Sequence, residues 1–317
     1  MKTSLKIALL GLILLAVTLG FLFVDIDLDN RYALNKRTIR LASMVLVGIS
    51  VAYSSIIFQT ITNNRILTPS IMGYEAIFIL FQTFIVFVYG DKAFQVIGQQ
   101  ENFFYAIVLM LGFSLVLYFL LFGKRKRGMY FLLLTGMVLG TLFLTISQFM
   151  QVMIDPNEFS IVQNFMFVSF SKMNTKLLGI AAATLVVALA FTSFHLRKLD
   201  VLALGRDHAV NLGLSYNQVV QRFLLVISLL VSVSTALVGP ITFLGILVCN
   251  LTYELLPTRK HSIMLPVCSL IACICLVFGQ FLVEHVLSFS TTVSIIINFI
   301  GGVYFLYLLW LTRKKIS

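Results

Sequence analysis

The sequence predicts an all-α polytopic membrane protein with about ten transmembrane helices. Three observations carry that prediction. Of 317 residues, 60% are hydrophobic and only 11% charged, where a soluble domain holds roughly 45–50% and about 25%. The mean hydropathy is +1.02. Apolar runs of near the length needed to cross a bilayer, about 20 residues, follow one another with short polar breaks. Disorder is excluded by 29 Phe and 11 Tyr, since disordered chains are polar and poor in aromatics. Residues 1–317 read as one transmembrane domain, with no room left for a soluble catalytic domain.

The first apolar run follows Lys2 and Lys6 and imitates a secretory signal. It is long for a signal core and no small-x-small cleavage site follows it, so it is read as a retained first span, 5–24. The remaining spans are 39–60, 71–89, 104–122, 129–150, 177–195, 221–238, 240–255, 265–283 and 294–311. The eighth is short and starts at Pro240, directly after Gly239. Because Pro suits a first helical turn, this is a helix packed inside the bundle or a broken one. In the long outer segment 151–176, the stretch 159–170 is apolar enough for a short interfacial or half-buried helix. A weak internal echo links 39–73 with 219–254. Each runs from a helix through small residues to a polar turn punctuated by Gly, Pro or Asn, and repeated halves are common in transporters.

The segment 202–218 is long and polar for this chain. It reads as two short helices joined at a glycine, punctuated by Gly205 and Gly213, with Ala209, Leu212 and Leu214 as a small apolar face. Two readings stand: a rigid knob that docks another protein, or an amphipathic connector resting on lipid headgroups.

Net charge is +11, from 23 Lys and Arg against 12 Asp and Glu. In a membrane protein this excess speaks to orientation, not to nucleic acid, because cytoplasmic loops collect Lys and Arg. With the N-terminus inside, the cytoplasmic segments hold 16 of the 23 basic residues, including the runs at 124–127 and 313–315. The outer segments then hold eight of the acids. The prediction is N-in and C-in.

Catalytic patterns are missing. None of the four His has the HExxH spacing of a zinc site, and no GxSxG or phosphate-binding glycine loop is present. The four cysteines, Cys249, Cys268, Cys273 and Cys275, lie in or beside apolar runs and read as packing residues. No cofactor and no enzymatic activity are expected. Movement against a gradient would draw on an ion gradient or on another subunit. Glu75 is the acid that bears on that choice, since ionisable groups inside spans build ion relays. It follows Pro69 and Gly73, near the cytoplasmic start of the third span. It is either an acid stabilised by the helix N-terminus close to the interface or part of a gate or pathway. A proton-coupled carrier would use it as its relay.

Three stretches resemble the FecCD family, the permease subunits of bacterial ABC importers for iron–siderophores, haem and cobalamin. The first runs from Arg40-Leu-Ala-Ser43 through Gln59 to Asn63-Asn64-Arg-Ile-Leu-Thr-Pro69-Ser-Ile-Met-Gly73. It is similar to the pattern R-L-P-R … G-x-x-x-Q-x-x-x-x-N-P-L-A-x-P-x-x-L-G. The second, Leu204-Gly205-Arg206-Asp207-His-Ala209-Val-Asn-Leu212-Gly213-Leu214, is similar to L-G-x-x-x-A-x-x-L-G-V. The third, Gly239-Pro240-Ile-Thr-Phe-Leu-Gly245-Ile-Leu-Val-Cys-Asn250, is similar to G-P-I-x-F-V-G-L-I-V-P-H.

The resemblance implies the type II ABC importer fold in a bacterial cytoplasmic membrane. It implies a permease dimer working with cytoplasmic ATPase subunits and an extracytoplasmic siderophore-binding protein. The second stretch becomes the loop that couples to the ATPase. Asn63, Asn64, Pro69, Gly73, Glu75, Gly239, Pro240, Gly245 and Asn250 become pathway and gate residues, and Arg37 and Arg40 contacts for the binding protein. Departures from the family pattern favour a heterodimer with a second permease of the same kind. Ser43 replaces the second arginine of the first motif, Cys249-Asn250 replaces P-H, Glu284 stands where an outer arginine is usual, and a Ser/Thr run fills 288–294. The neighbourhoods of Glu75 and Asn250 look most like the branch that imports catecholate-type ferric siderophores, with haem or cobalamin import as the alternative.

Overall fold

The computed structural model describes residues 3–24, 31–122, 129–170 and 173–314. Lys2, the acids Asp25, Asp27 and Asp29, the basic run at 124–127, and Lys315 lie outside the described residues. In chain order the elements are α1 (Thr3–Phe23), α2 (Arg31–Thr62), a 3-10 turn (Pro69–Met72) and α3 (Tyr74–Tyr89). A second 3-10 turn (Gly90–Lys92) and the short α4 (Ala93–Val96) lead to α5 (Gln99–Phe122), α6 (Met129–Met153) and α7 (Pro156–Met166). Then come α8 (Thr175–Phe194), α9 (Leu196–Leu202), α10 (Arg206–Asn211), α11 (Tyr216–Val238), α12 (Leu244–Leu255), α13 (His261–His285) and α14 (Val293–Lys314). Among the described residues, eight helices are long and apolar enough to cross a membrane. Two shorter apolar helices, α12 and the Val293–Tyr307 part of α14, correspond to the eighth and tenth apolar runs of the sequence.

Burial sorts these helices into a centre and a rim. Two-thirds (67%) of the apolar windows of α2 and α11 is buried, against 6% for α1. Lipid tails are as apolar as leucine, so hydrophobicity does not choose the inner helices; close approach and interhelical hydrogen bonds do. The central pair is accordingly rich in small hydroxyl residues. Ser50, Ser54, Ser55 and Thr60 on α2 and Ser228, Ser232, Ser234 and Thr235 on α11 are all buried. Several satisfy themselves on the carbonyl four residues back, as Ser50 does on Leu46 at 2.9 Å and Ser228 on Leu224 at 2.7 Å. Others join helices. Tyr74 Oη bonds Ser114 and Ser228 at 3.0 and 2.7 Å, and Gln82 and Asn102 exchange two amide bonds of 3.2 Å. Such bonds contribute about 0.6 kcal/mol each on average.

Chain ends and helix ends fall on two faces. On one face, Lys6 Nζ donates to the Leu255 carbonyl at the end of α12, and Tyr304 Oη donates to Glu254 at 3.1 Å. Both terminal helices therefore reach the side where α12 ends, as an even number of crossings requires. On the other face Arg40, near the start of α2, pairs with Glu284, near the end of α13, at 3.1 Å.

Several helices start a turn or more before the expected spans, α2 at Arg31 and α11 at Tyr216 among them, and two boundaries differ in a way that shapes the site. The outer helix α7 starts at Pro156 and stops at Met166, instead of filling 159–170, because Asp155 caps it: the Asn157 amide donates to Asp155 Oδ1 at 2.9 Å. Asp–Pro is an N-cap and first-turn pair, a stronger signal than hydropathy. Residues 167–170 then run extended, and the Ser169 amide donates to the Val238 carbonyl at 3.0 Å. The eighth span begins at Leu244 and not at Pro240, because 239–243 forms a turn at the top of a half-length helix.

Candidate functional site: a cleft between two broken spans

Two spans are interrupted, and their starts face each other. The chain leaves α2 at Asn63, whose φ of 49° puts it in the left-handed region, which Asn tolerates better than most residues. It then climbs back into the bundle before α3 begins. Tyr74, the first residue of α3, bonds Ser228, which lies twelve residues into α11, or about 18 Å at 1.5 Å per residue. Its other partner, Ser114, lies eight residues before the end of α5, about 12 Å from that end. Glu75 therefore sits inside the bundle, between the start of α3 and the turn that precedes α12. A span that starts halfway across is the reason: eleven residues of connection, 63–73, occupy the lower half.

α12 is the counterpart. It has 12 residues, about 18 Å of helix, and it too starts inside the bundle, after Gly239-Pro240. Thr242 Oγ1 donates to Glu75 Oε2 at 2.6 Å and closes the two starts on each other. The echo between 39–73 and 219–254 is thus physical. Each copy is a buried helix, α2 or α11, followed by a Pro-marked turn and a broken span. The two copies run in opposite directions through the bundle and meet at the Glu75–Thr242 bond.

Around that bond lies a narrow open cleft lined by Val51, Ser54, Ser55, Pro69, Ser70, Glu75, Val231, Ser234, Thr235, Gly239, Ile241 and Gly245. Apart from Glu75 its polar groups are hydroxyls. A wall of hydroxyls around one half-buried carboxylate can hydrogen-bond passing polar groups without offering a chelating cluster. Among the described residues no three His, Cys, Asp or Glu side chains stand close enough to hold a metal ion.

Of the nine predicted pathway residues, the cleft takes in Pro69, Glu75, Gly239 and Gly245. A Cβ on Gly245 would overlap Ser55 Oγ and come within 3.1 Å of Thr68 Cγ2, so a side chain here would fill the cleft floor. Pro240 is buried beside the cleft. Gly73 does not line it. With φ +89° it packs on α6, where a Cβ on Gly140 would reach its Cα at 3.0 Å and a Cβ on Gly136 would reach Met72 at 3.0 Å. The Gly136–Gly140 pair is a G-x-x-x-G pattern, which lets backbones approach closely. Asn63, Asn64 and Asn250 hold the connection instead of facing the cleft. Asn64 Oδ1 accepts from the Ile66 amide at 2.9 Å, and Asn250 Nδ2 donates to the Arg65 carbonyl at 3.2 Å. The Arg65 guanidinium lies over the Tyr253 ring at 4.8 Å.

The 202–218 segment is ordered into a knob. α9 and α10 are joined through Ala203–Gly205 by consecutive backbone bonds, and the Leu214 amide returns to the Ala209 carbonyl at 3.0 Å. Arg206 lies over the Tyr216 ring at 5.8 Å, and Asp207 sits in the first turn of α10. The apolar face differs from the expected one: Ala209 is fully buried and Leu214 half-buried, whereas Leu212 is 63% exposed. The outward apolar side chains are Leu204, Val210 and Leu212. Gly205 and Gly213 have φ of 93° and 80°, and a Cβ on either would meet nothing within 4 Å.

On the opposite face both predicted docking arginines are engaged within the chain. Arg37 Nη1 donates to the Phe21 and Val24 carbonyls at 2.9 and 2.7 Å, capping α1, a favourable place for a cation. Arg40 is held by Glu284, which also accepts from Gln280 at 2.7 Å. Arg31 and Lys36 are the exposed cations beside them.

The sequence model of the FecCD transport family matches residues 6–311. Over 316 residues the chain is 50% identical to the petrobactin import system permease protein YclO of Bacillus subtilis, covering 99% of this chain and all of that one. It is 32% identical over 271 residues to the petrobactin import system permease protein FatC of Bacillus anthracis, covering 86% of this chain and 77% of the other. A second petrobactin permease of B. subtilis, YclN, is 25% identical over 96% of each chain. In fold, a solved transporter described as of the metal-chelate ABC type, in an inward-facing conformation, superposes with a TM-score of 0.85 at 19% identity, covering 98% of this chain and 99% of that one. With its family matched across the bundle and a half-identical relative aligned end to end, this multi-pass membrane protein belongs to the FecCD transport family.

Proposed function

We propose that this chain is one permease half of an ATP-driven importer of ferric siderophores in a bacterial cytoplasmic membrane, with petrobactin-type chelates as the cargo class. The observation that carries this reading is the 50% identity, along the whole chain, to a permease named for petrobactin import. The other half is a second permease of the same family, since the chain is twice as similar to YclO as to YclN, two petrobactin permeases of one organism. Cargo delivered by an extracytoplasmic binding protein passes through the cleft at Glu75 and Thr242. The knob at 205–214, with Leu204, Val210 and Leu212 outward, seats in a separate ATPase subunit that hydrolyses ATP. Arg31 and Lys36 offer the binding protein positive charge that Arg37 and Arg40 have committed elsewhere.

The test is uptake of labelled ferric petrobactin into proteoliposomes holding this chain, its sister permease and the ATPase, with binding protein outside and ATP inside. Uptake should need ATP and be abolished by Gly213→Glu. Gly213→Ala is the control: it carries the same backbone strain, roughly 1–2 kcal/mol, without charge or bulk, and should keep most of the uptake. Uptake driven by a proton gradient without the ATPase would overturn the reading.

A further inference from the structure

One buried group has no part in the cleft or the knob, and it lies between them. His261, the first residue of α13, is 1% exposed. Its ring joins two other helices. Nδ1 lies 2.6 Å from Asp200 Oδ1 on α9, and Nε2 lies 2.8 Å from Thr60 Oγ1 in the last turns of α2. Asp200 Oδ1 also accepts the His261 backbone amide at 2.9 Å, so one carboxylate oxygen holds both the start of α13 and its first side chain. Thr60 in turn donates to the Ile56 carbonyl at 2.8 Å.

The positions of these residues give the triad its meaning. Asp200 precedes the knob by a few residues, and α9 is anchored by Leu199 and Leu202, both buried. Backbone bonds run on from α9 into α10 without a slack segment. Thr60 precedes Asn63, where α2 ends and the connection toward Pro69 and Glu75 begins. That connection is tied to α12 by Asn250 and Tyr253. A continuous hydrogen-bonded path therefore runs from the knob through α9, Asp200, His261 and Thr60 to the segment beneath the cleft. Apolar contacts between these helices can slide, because dispersion is non-directional and each atom pair contributes little. Short, directional bonds to a buried ring resist sliding and hold α9 and the end of α2 in fixed register.

We propose that the Asp200–His261–Thr60 clasp transmits movement of the knob to the 63–68 connection, which makes His261 and Asp200 positioning residues for coupled transport. This rests on the functional reading above.

The experiment uses the same assembled complex and measures siderophore imported per ATP hydrolysed in the same vesicles. His261→Leu removes both side-chain bonds, and Asp200→Ala removes the outer anchor from a side chain that is 40% exposed, so its loss disturbs the core least. Both should lower the import-to-hydrolysis ratio at least tenfold. Asp200→Asn keeps an acceptor oxygen at the same place and should restore most of the ratio. An unchanged ratio in Asp200→Ala, whether activity is normal or both activities fall in parallel, would reduce the clasp to a structural brace and overturn the proposal. Absence of ATP-dependent uptake in the wild-type complex would instead overturn the functional reading itself.

Discussion

Glu75 keeps its carboxylate half-buried between two helix starts because Thr242 donates to it at 2.6 Å and the cleft around it is lined with hydroxyls. A charge at mid-membrane costs about 2.5–3.5 kcal/mol on insertion scales, and the start of α3 offsets part of that through its unpaired amides. The same geometry argues against a relay. A proton path needs a succession of titratable groups, whereas the other residues lining the cleft are Ser, Thr, Val, Ile, Pro and Gly. Glu75→Gln leaves an oxygen for Thr242 and removes only the charge. Uptake by the assembled importer should stay ATP-driven and fall by less than roughly tenfold, equivalent to about 1.4 kcal/mol. Complete loss in a folded complex would make the carboxylate obligatory and revive the ion-coupled alternative.

Among the helices, the placement of α3 decides where the cleft lies, and α6 decides the placement of α3. Gly136 and Gly140 let the backbone at Met72–Gly73 approach α6 to a distance that a Cβ would block, with contacts of 3.0 Å. Gly140→Leu should therefore push the 3-10 turn and α3 off α6. Overpacking of this kind costs about 1–3 kcal/mol and should lower the thermal midpoint of the purified protein. Gly112→Leu is the matched control, because a Cβ at Gly112 meets nothing within 4 Å. It should leave the midpoint where it is. Equal losses in the two variants would show that leucine in an apolar span is harmful in itself and that the α3–α6 contact is not the cause.

For the whole molecule the question is what completes it. On the outer face Arg40 is paired with Glu284 at 3.1 Å and Arg37 is held by the carbonyls that end α1, so under the proposed function a second permease is expected to present a binding protein with a different surface. Differently tagged copies of this chain, expressed with its sister permease, should each co-purify with the sister and not with one another. Recovery of a self-paired, ATP-coupled complex would overturn the heterodimer. Much of this architecture was legible in the residues. The apolar spans could be read from the hydropathy pattern, the irregular start of the eighth from Gly239-Pro240, and two short helices joined at a glycine over 202–218 from Gly205 and Gly213. The depth of Glu75 was not, because hydropathy averaged over a window cannot tell an apolar connection that climbs into the bundle from the first turn of a helix. Nor could it show that Arg37 and Arg40 spend their charge on the Val24 carbonyl and on Glu284, which are distant in sequence or lie on another helix. By itself the sequence determined the membrane class, the apolar runs that form the bundle and the Gly-Pro interruption ahead of the eighth, since these follow from local apolarity and from the backbone chemistry of Gly and Pro. Only the tertiary structure decided that the two breaks meet at Glu75 and Thr242 and that His261 ties α9 to α2, because those contacts join residues 167, 61 and 201 positions apart, and long-range pairing is settled by helix packing and not by local pattern.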